Sequence, residues 1–138
     1  MSVLGVDVDA KTFTVYDGGE ERFSGTTQAG IAKGVLGVLE RWEETRGKVV
    51  GVSEWVGTQT ELLKTVEAVV GGEWVWEQES TEVLKQKGRA GLVAAQLFEG
   101  GLGRSVVEEV GKGGNELLGI QGRKLEDVVS AAFEAKTE

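Results

Sequence analysis

Short runs of apolar and β-branched residues alternate along the chain with longer stretches of helical spacing. Residues 2–9 (SVLGVDVD) are an apolar run ending in acids, and without a helical period they predict a buried strand. Residues 12–17 (TFTVYD) are β-branched and aromatic and predict a second strand. Asp17-Gly18-Gly19-Glu20 predicts a turn, with 21–25 returning as a third strand. Thr26 or Thr27 can cap the helix that follows, which runs to Arg46. Its apolar residues Ile31, Val35, Val38, Leu39 and Trp42 share one helix face. Gly30, Gly34 and Gly37 lower its propensity and would allow close packing on a sheet.

Residues 48–56 (KVVGVSEWV) form another β-branched run and predict a fourth strand. Residues 58–70 predict a helix, capped by Thr58 or Thr60 and stopped by Gly71-Gly72. Residues 73–78 (EWVWEQ) predict a fifth strand with Trp74 and Trp76 on one face. A helical region runs from Ser80 or Thr81 to Glu99, with Gly88 and Gly91 as interruptions. Residues 104–111 fit either a strand or a short helix, and Gly113-Gly114 a loop. Residues 123–136 predict a last helix, with Leu125, Val128, Val129, Ala132 and Phe133 on one face. The order βββαβαβα followed by a helix predicts one α/β domain over 1–138. Helical crossovers from strand 1 to strand 4 and from strand 4 to strand 5 imply parallel pairing in a mixed sheet.

Composition narrows the chemistry. At 138 residues and 14.7 kDa the chain can bury a core without staples. It has no cysteine and no histidine, which excludes disulfides, thiolate or imidazole metal sites and Ser-His or Cys-His catalysis. No run approaches the length of a membrane helix. The N-terminus has no basic, signal-like stretch, so an intracellular, cytoplasmic location is expected. The net charge of -8 argues, taken alone, against a polyanionic partner.

The charge is unevenly spread. Residues 1–79 carry 7 bases and 14 acids, a net of -7, whereas residues 85–124 carry 7 bases and 4 acids, a net of +3. Lys85, Lys87 and Arg89 precede the Ala-rich stretch, and Arg123 and Lys124 lie beside Asp127, as a block that could contact phosphates. Trp55 could stack on unpaired bases. Of the acids, Asp7 ends the first strand, Glu54 lies near the end of the fourth, and Asp127 lies on the last helix. The carboxyl ends of parallel strands form the functional edge of an open α/β sheet, which would bring Asp7 and Glu54 together. Clustered carboxylates without His or Cys suit Mg²⁺ or Mn²⁺. Two such ions about 4 Å apart can drive phosphodiester hydrolysis. Each acid also has a plain structural role open to it, as turn, cap or solvated surface.

The opening VLGVDVDAKTFTVYDGG, the segment KQKGRAGLVAAQLFEGG and the closing LEDVVSAAFEA together resemble a RuvC-type member of the RNase H-like superfamily. The resemblance implies a five-stranded RNase H-like sheet, a three-strand meander plus two parallel strands flanked by helices. It implies a metal-dependent endonuclease that resolves four-way Holliday junctions in recombination and repair. It further implies a homodimer bound to branched DNA, with no organic cofactor. Asp7, Glu54 and Asp127 would then be the catalytic and metal-binding acids. Ser130 stands where the family carries a further acid and would be a weaker metal ligand. Alternatives are another RNase H-like nuclease acting on RNA–DNA hybrids or RNA, a transposase-like domain, or a degenerate DNA-binding member. The glycines form no phosphate loop, since GKGGNE (111–116) lacks the required spacing.

Overall fold

The computed structural model describes residues 4–99 and 113–137. The elements are β1 (Val6–Asp7), β2 (Thr12–Tyr16), β3 (Arg22–Gly25), α1 (Gln28–Glu40), α2 (Trp42–Thr45), β4 (Trp55–Thr58), α3 (Gln59–Val70), β5 (Val75–Glu79), α4 (Thr81–Lys85), α5 (Arg89–Phe98) and α6 (Leu125–Thr137). Residues 113–118 are also helical. The ambiguous segment 104–111 lies outside the described residues.

Most elements stand where the residue pattern predicts them, but their pairing does not. There is no five-stranded RNase H-like sheet among the described residues. A three-stranded sheet has the order β1-β2-β5, and a separate two-stranded sheet joins β3 to β4. β1 is antiparallel to β2, with Val6 opposite Phe13, and β5 is parallel to β2, with Thr12 opposite Val75 and Tyr16 opposite Glu79. β4 is antiparallel to β3, not parallel to β1, with Arg22 opposite Thr58 and Gly25 opposite Trp55.

The physical reason lies in the two edges of β2. β5 occupies one edge along its whole length. β1 occupies the other only at Val6 and Asp7, extended by Thr14 N–H donating to Gly5 O at 2.8 Å. Beyond that point the side chain of Gln59 takes over. Its Nε2 donates to Thr14 O at 2.9 Å and Leu4 O at 3.1 Å, and its Oε1 accepts from Tyr16 N–H at 2.9 Å. Gln59 is fully buried and completes the ladder with an amide where a strand would otherwise pair. No edge of β2 is left for β3, which turns away at Asp17-Gly18-Gly19 and meets β4 instead.

Local chemistry sets the helix ends. Thr58 and Glu61 form a reciprocal capping box at the start of α3, so Gln59 is held at the first turn of a well-anchored helix. Gly71, at φ 70°, ends that helix. Gly88, at φ 81°, splits the predicted 80–99 helix into α4 and α5. The core follows β2: Phe13 stacks on Trp74 with centroids 4.2 Å apart, and Tyr16 stacks on Phe98 at 5.5 Å. Phe23 carries this packing across to the second sheet through Phe98 and Trp55.

Helix α1 reverses the sequence expectation. Its buried residues are Gly30, Gly34 and Gly37, whereas Ile31, Val35, Leu36 and Leu39 are exposed, as is Trp42 beyond it. The glycine face is inside because the approach there is too close for side chains. A methyl on Gly30 would overlap the Glu54 carboxylate, and one on Gly37 would press on Leu118. The fourth strand is also shorter than the β-branched run predicts: residues 48–53 pair with no strand among the described residues.

Replacing Gln59 by Leu keeps the volume and strands three backbone groups. Each unsatisfied group costs about 1–3 kcal/mol, so Gln59→Leu should lose about 3 kcal/mol or more in urea unfolding. A loss under about 1 kcal/mol would show that the amide does not complete the ladder.

Candidate functional site

The three acids expected to share a metal stand on different parts of the fold. Asp7 is exposed at the end of β1, where its carboxylate accepts from Ala10 N–H at 2.9 Å as a turn cap. Asp127 is exposed in the first turn of α6. Glu54 is 7% exposed and fully engaged. Its Oε2 accepts from the Thr27 N–H at 2.6 Å and the Thr27 hydroxyl at 2.5 Å. Its Oε1 lies 3.8 Å from Arg123 Nη1, and its backbone O accepts from Arg123 N–H at 2.6 Å. Among the described residues no group of three or more acids is placed to hold a metal ion. Asp7, Glu54 and Asp127 therefore do not form the shared oxygen donor set that an Mg²⁺ or Mn²⁺ pair needs. Ser130 lies on α6 near Val69 and Phe133.

Glu54 is instead a clamp between elements. Thr27 caps α1 through Gly30 N–H while giving its own hydroxyl proton to Glu54. Arg123 brings the chain just ahead of α6 to the same carboxylate. Burial pushes the Glu54 carboxyl up, but the two Thr27 hydrogen bonds, then Arg123 and Lys33, outweigh it and hold the group below its ordinary 4.5.

The expected phosphate-contacting block is also differently employed. Lys85 pairs with Glu82 at 2.6 Å and with Glu99, and these partners raise its pKa. Lys87 lies 3.9 Å from Glu79. Glu99 also accepts from the Thr81 hydroxyl at 3.1 Å, and that hydroxyl sits 2.5 Å from Asp17, so the lysines close an acidic cluster. Arg123 serves Glu54. Arg89, at the start of α5, and Lys124, in the loop just ahead of α6, are exposed. Arg104 and Lys112, counted in the same basic stretch, lie outside the described residues.

What the fold does assemble is an apolar cleft of about 390 Å³ between the β3–β4 sheet, α3 and α6. Trp55, Phe23, Leu62, Val66, Val129 and Phe133 are among its walls. Ser24, Thr26 and Thr27 supply its polar members, and no charged residue is among the described residues that line it. Trp55 turns its ring edge-on to Phe23 at 5.3 Å and covers Gly25, so it belongs to the cleft wall. The apolar face of α6 is legible in the sequence as Leu125, Val128, Val129, Ala132 and Phe133. That signal reads as core packing. Only the fold shows that part of the face borders open space.

No protein-family model matches the chain. Two sequence relatives, both named oxidoreductase poxI from Penicillium oxalicum, are 31% identical over 144 residues, covering 96% of this chain and 46% of each relative. Among solved structures, a nucleoside-diphosphate-sugar epimerase from Staphylococcus aureus superposes with a TM-score of 0.65 at 21% identity, covering 88% of this chain and 44% of the epimerase. The chain thus spans just under half the length of the proteins it matches. It has an α/β fold like the matched part of the epimerase.

These likenesses overturn the RuvC-type reading. The fold superposes on an epimerase, and the relative that aligns along nearly the whole chain is named an oxidoreductase, not a nuclease. The junction-resolving endonuclease, its recombination and repair role, its branched-DNA partner with the homodimer built for it, and the other nuclease and DNA-binding variants of that reading fall together. Among the described residues no helix is long and apolar enough to cross a membrane.

The depressed Glu54 carboxyl predicts a pH effect on stability. Its contribution is fully present above 4.5 and is lost as pH falls through the lower folded value. Glu54→Gln should cost about 1–3 kcal/mol at pH 7 in urea unfolding. The variant and parent curves should converge in acid. A constant gap between them from pH 7 to pH 3 would contradict the clamp.

Proposed function

We propose that the chain forms part of an oxidoreductase-type enzyme and that its apolar cleft receives the carbon skeleton of an uncharged substrate. The observation that carries this reading is the alignment of 96% of the chain with an oxidoreductase at 31% identity. The cleft supports it. Its volume falls in the range of small-molecule sites, which are mostly apolar with a few placed polar groups.

The division of labour follows from what the residues can supply. A redox reaction needs a group that accepts or gives electrons. The chain has no cysteine, and no G-x-G-x-x-G stretch follows any of its strands. Its own residues therefore bind and orient substrate, and a redox cofactor held by other residues would supply the electron transfer. Trp55, Phe23 and Phe133 exclude water from an apolar guest. Thr26 and Thr27 stand at the polar side of the cleft, where Thr27 is fixed by Glu54 and Thr26 by its hydrogen bond to Val52 O at 3.0 Å. A carbonyl or hydroxyl of the substrate would be directed to that side.

The test uses a neutral fluorescent probe, N-phenyl-1-naphthylamine, titrated into the protein. Apolar ketones should displace it, and carboxylates of the same skeleton should do so about tenfold less well, since no cation lines the cleft among the described residues. Ala132 is exposed on the cleft wall, so Ala132→Trp should block probe binding with little change in melting temperature. Absence of binding, or binding indifferent to Ala132→Trp, would overturn the cleft as a substrate site.

A further inference from the structure

A second, smaller cavity of about 240 Å³ opens beside Glu54. Lys33 of α1, Glu54, Arg123 and the loop 119–122 line it. Among the described residues it shares no lining residue with the apolar cleft. Its volume falls below the about 300–1,000 Å³ of drug-sized sites, so it suits a small ligand.

The frame of this cavity is pinned at both ends of the loop. Ile120 N–H donates to Asn115 O at 2.8 Å, and Arg123 N–H donates to Glu54 O at 2.6 Å. The Asn115 side chain in turn brackets the peptide of Ser53, next to Glu54. Ser53 N–H donates to its Oδ1 at 3.0 Å, and its Nδ2 donates to Ser53 O at 2.6 Å. The walls are therefore in place before a ligand arrives, which lowers the cost of binding one.

The polar groups inside are incompletely used. Glu54 is 7% exposed, and its Oε2 takes both Thr27 hydrogen bonds. Among the described residues Oε1 has no partner nearer than Arg123 Nη1 at 3.8 Å, which is beyond hydrogen-bond reach. A polar pair at that separation leaves room for a further donor. The Glu54 carboxyl is held below its ordinary 4.5, so at neutral pH Oε1 can only accept. Lys33 acts on Glu54 from beyond salt-bridge distance. Lys33 and Arg123 thus set two positive charges against one carboxylate at this cavity, a surplus of one.

We infer that this cavity binds a small hydroxylated anion, with its carboxylate or phosphate between Lys33 and Arg123 and its hydroxyl donating to Glu54 Oε1. Hydrogen bonds to an ionised carboxylate are among the strong ones, so the hydroxyl contributes affinity as well as orientation. An anion without a hydroxyl would meet the Glu54 charge with nothing to offset the repulsion. A neutral polyol would leave both cations unused. The combination of groups therefore selects one ligand class.

The test is calorimetric titration of the chain at low salt with D-glycerate and with glycerol 3-phosphate. At least one should bind with a dissociation constant of about 1 mM or tighter, and the tighter of the two identifies the anionic group. Glycerol, acetate and inorganic phosphate each carry half of the chemistry and should bind at least about tenfold more weakly. Lys33→Gln should weaken binding about tenfold with little change in melting temperature, because Lys33 is exposed and lies outside the Thr27–Glu54–Arg123 clamp. Lys33→Arg, which keeps the charge, should restore most of the affinity. Amide chemical shifts on titration should move most at Gln121 and Gly122. No binding of either probe at about 10 mM would overturn the site. So would equal binding of glycerol or acetate, binding indifferent to Lys33→Gln, or shifts centred away from the loop 119–122.

Discussion

The fully buried amide of Gln59 decides how the strands are distributed. β2 needs hydrogen-bond partners on both edges, and β1 is only two residues long. Gln59 supplies a donor to Leu4 O and Thr14 O and an acceptor to Tyr16 N–H, which together replace a missing stretch of strand. Because Gln59 starts α3, immediately after β4, the same residue ties the β3–β4 sheet to the β1-β2-β5 sheet. A buried side-chain amide is tolerable only when its groups are satisfied, and this one meets that condition on both its oxygen and its nitrogen.

A second polar tie positions the cleft. Glu54 joins the start of α1 through Thr27 to the approach of α6 through Arg123. Thr27 itself and the first turns of α6, through Leu125, Val128 and Val129, border the cleft. The carboxylate that metal chemistry would require to be free is therefore occupied in holding the walls of an apolar site. The acidic surface acts similarly elsewhere, where Glu99, Glu82 and Glu79 engage Lys85 and Lys87.

The positions of the elements were legible because local physics sets them. β-branched and aromatic residues at 12–16 and the Thr58–Glu61 cap with Gly71 as a stop all act within a few residues. Glu54 was legible as an unusual acid, since it interrupts a β-branched run. Its role was not, because Thr27 and Arg123 lie 27 and 69 positions away and no spacing rule connects them. Asp7 and Asp127 looked equivalent to Glu54 in the sequence, yet they fill local turn and helix-start positions.

What the residues alone determined is the α/β alternation of elements and, by the absence of cysteine and histidine, the exclusion of thiolate and imidazole chemistry. Only the tertiary structure decided which strands pair and which face of α1 turns inward. Periodicity identifies residues that share a face, but it is silent on which face meets a neighbour. Gly30, Gly34 and Gly37 and the stripe from Ile31 to Trp42 are both one-sided patterns. The glycine side went in because Glu54, Val52 and Leu118 press against it too closely for larger side chains, and that crowding is set by residues remote in the chain.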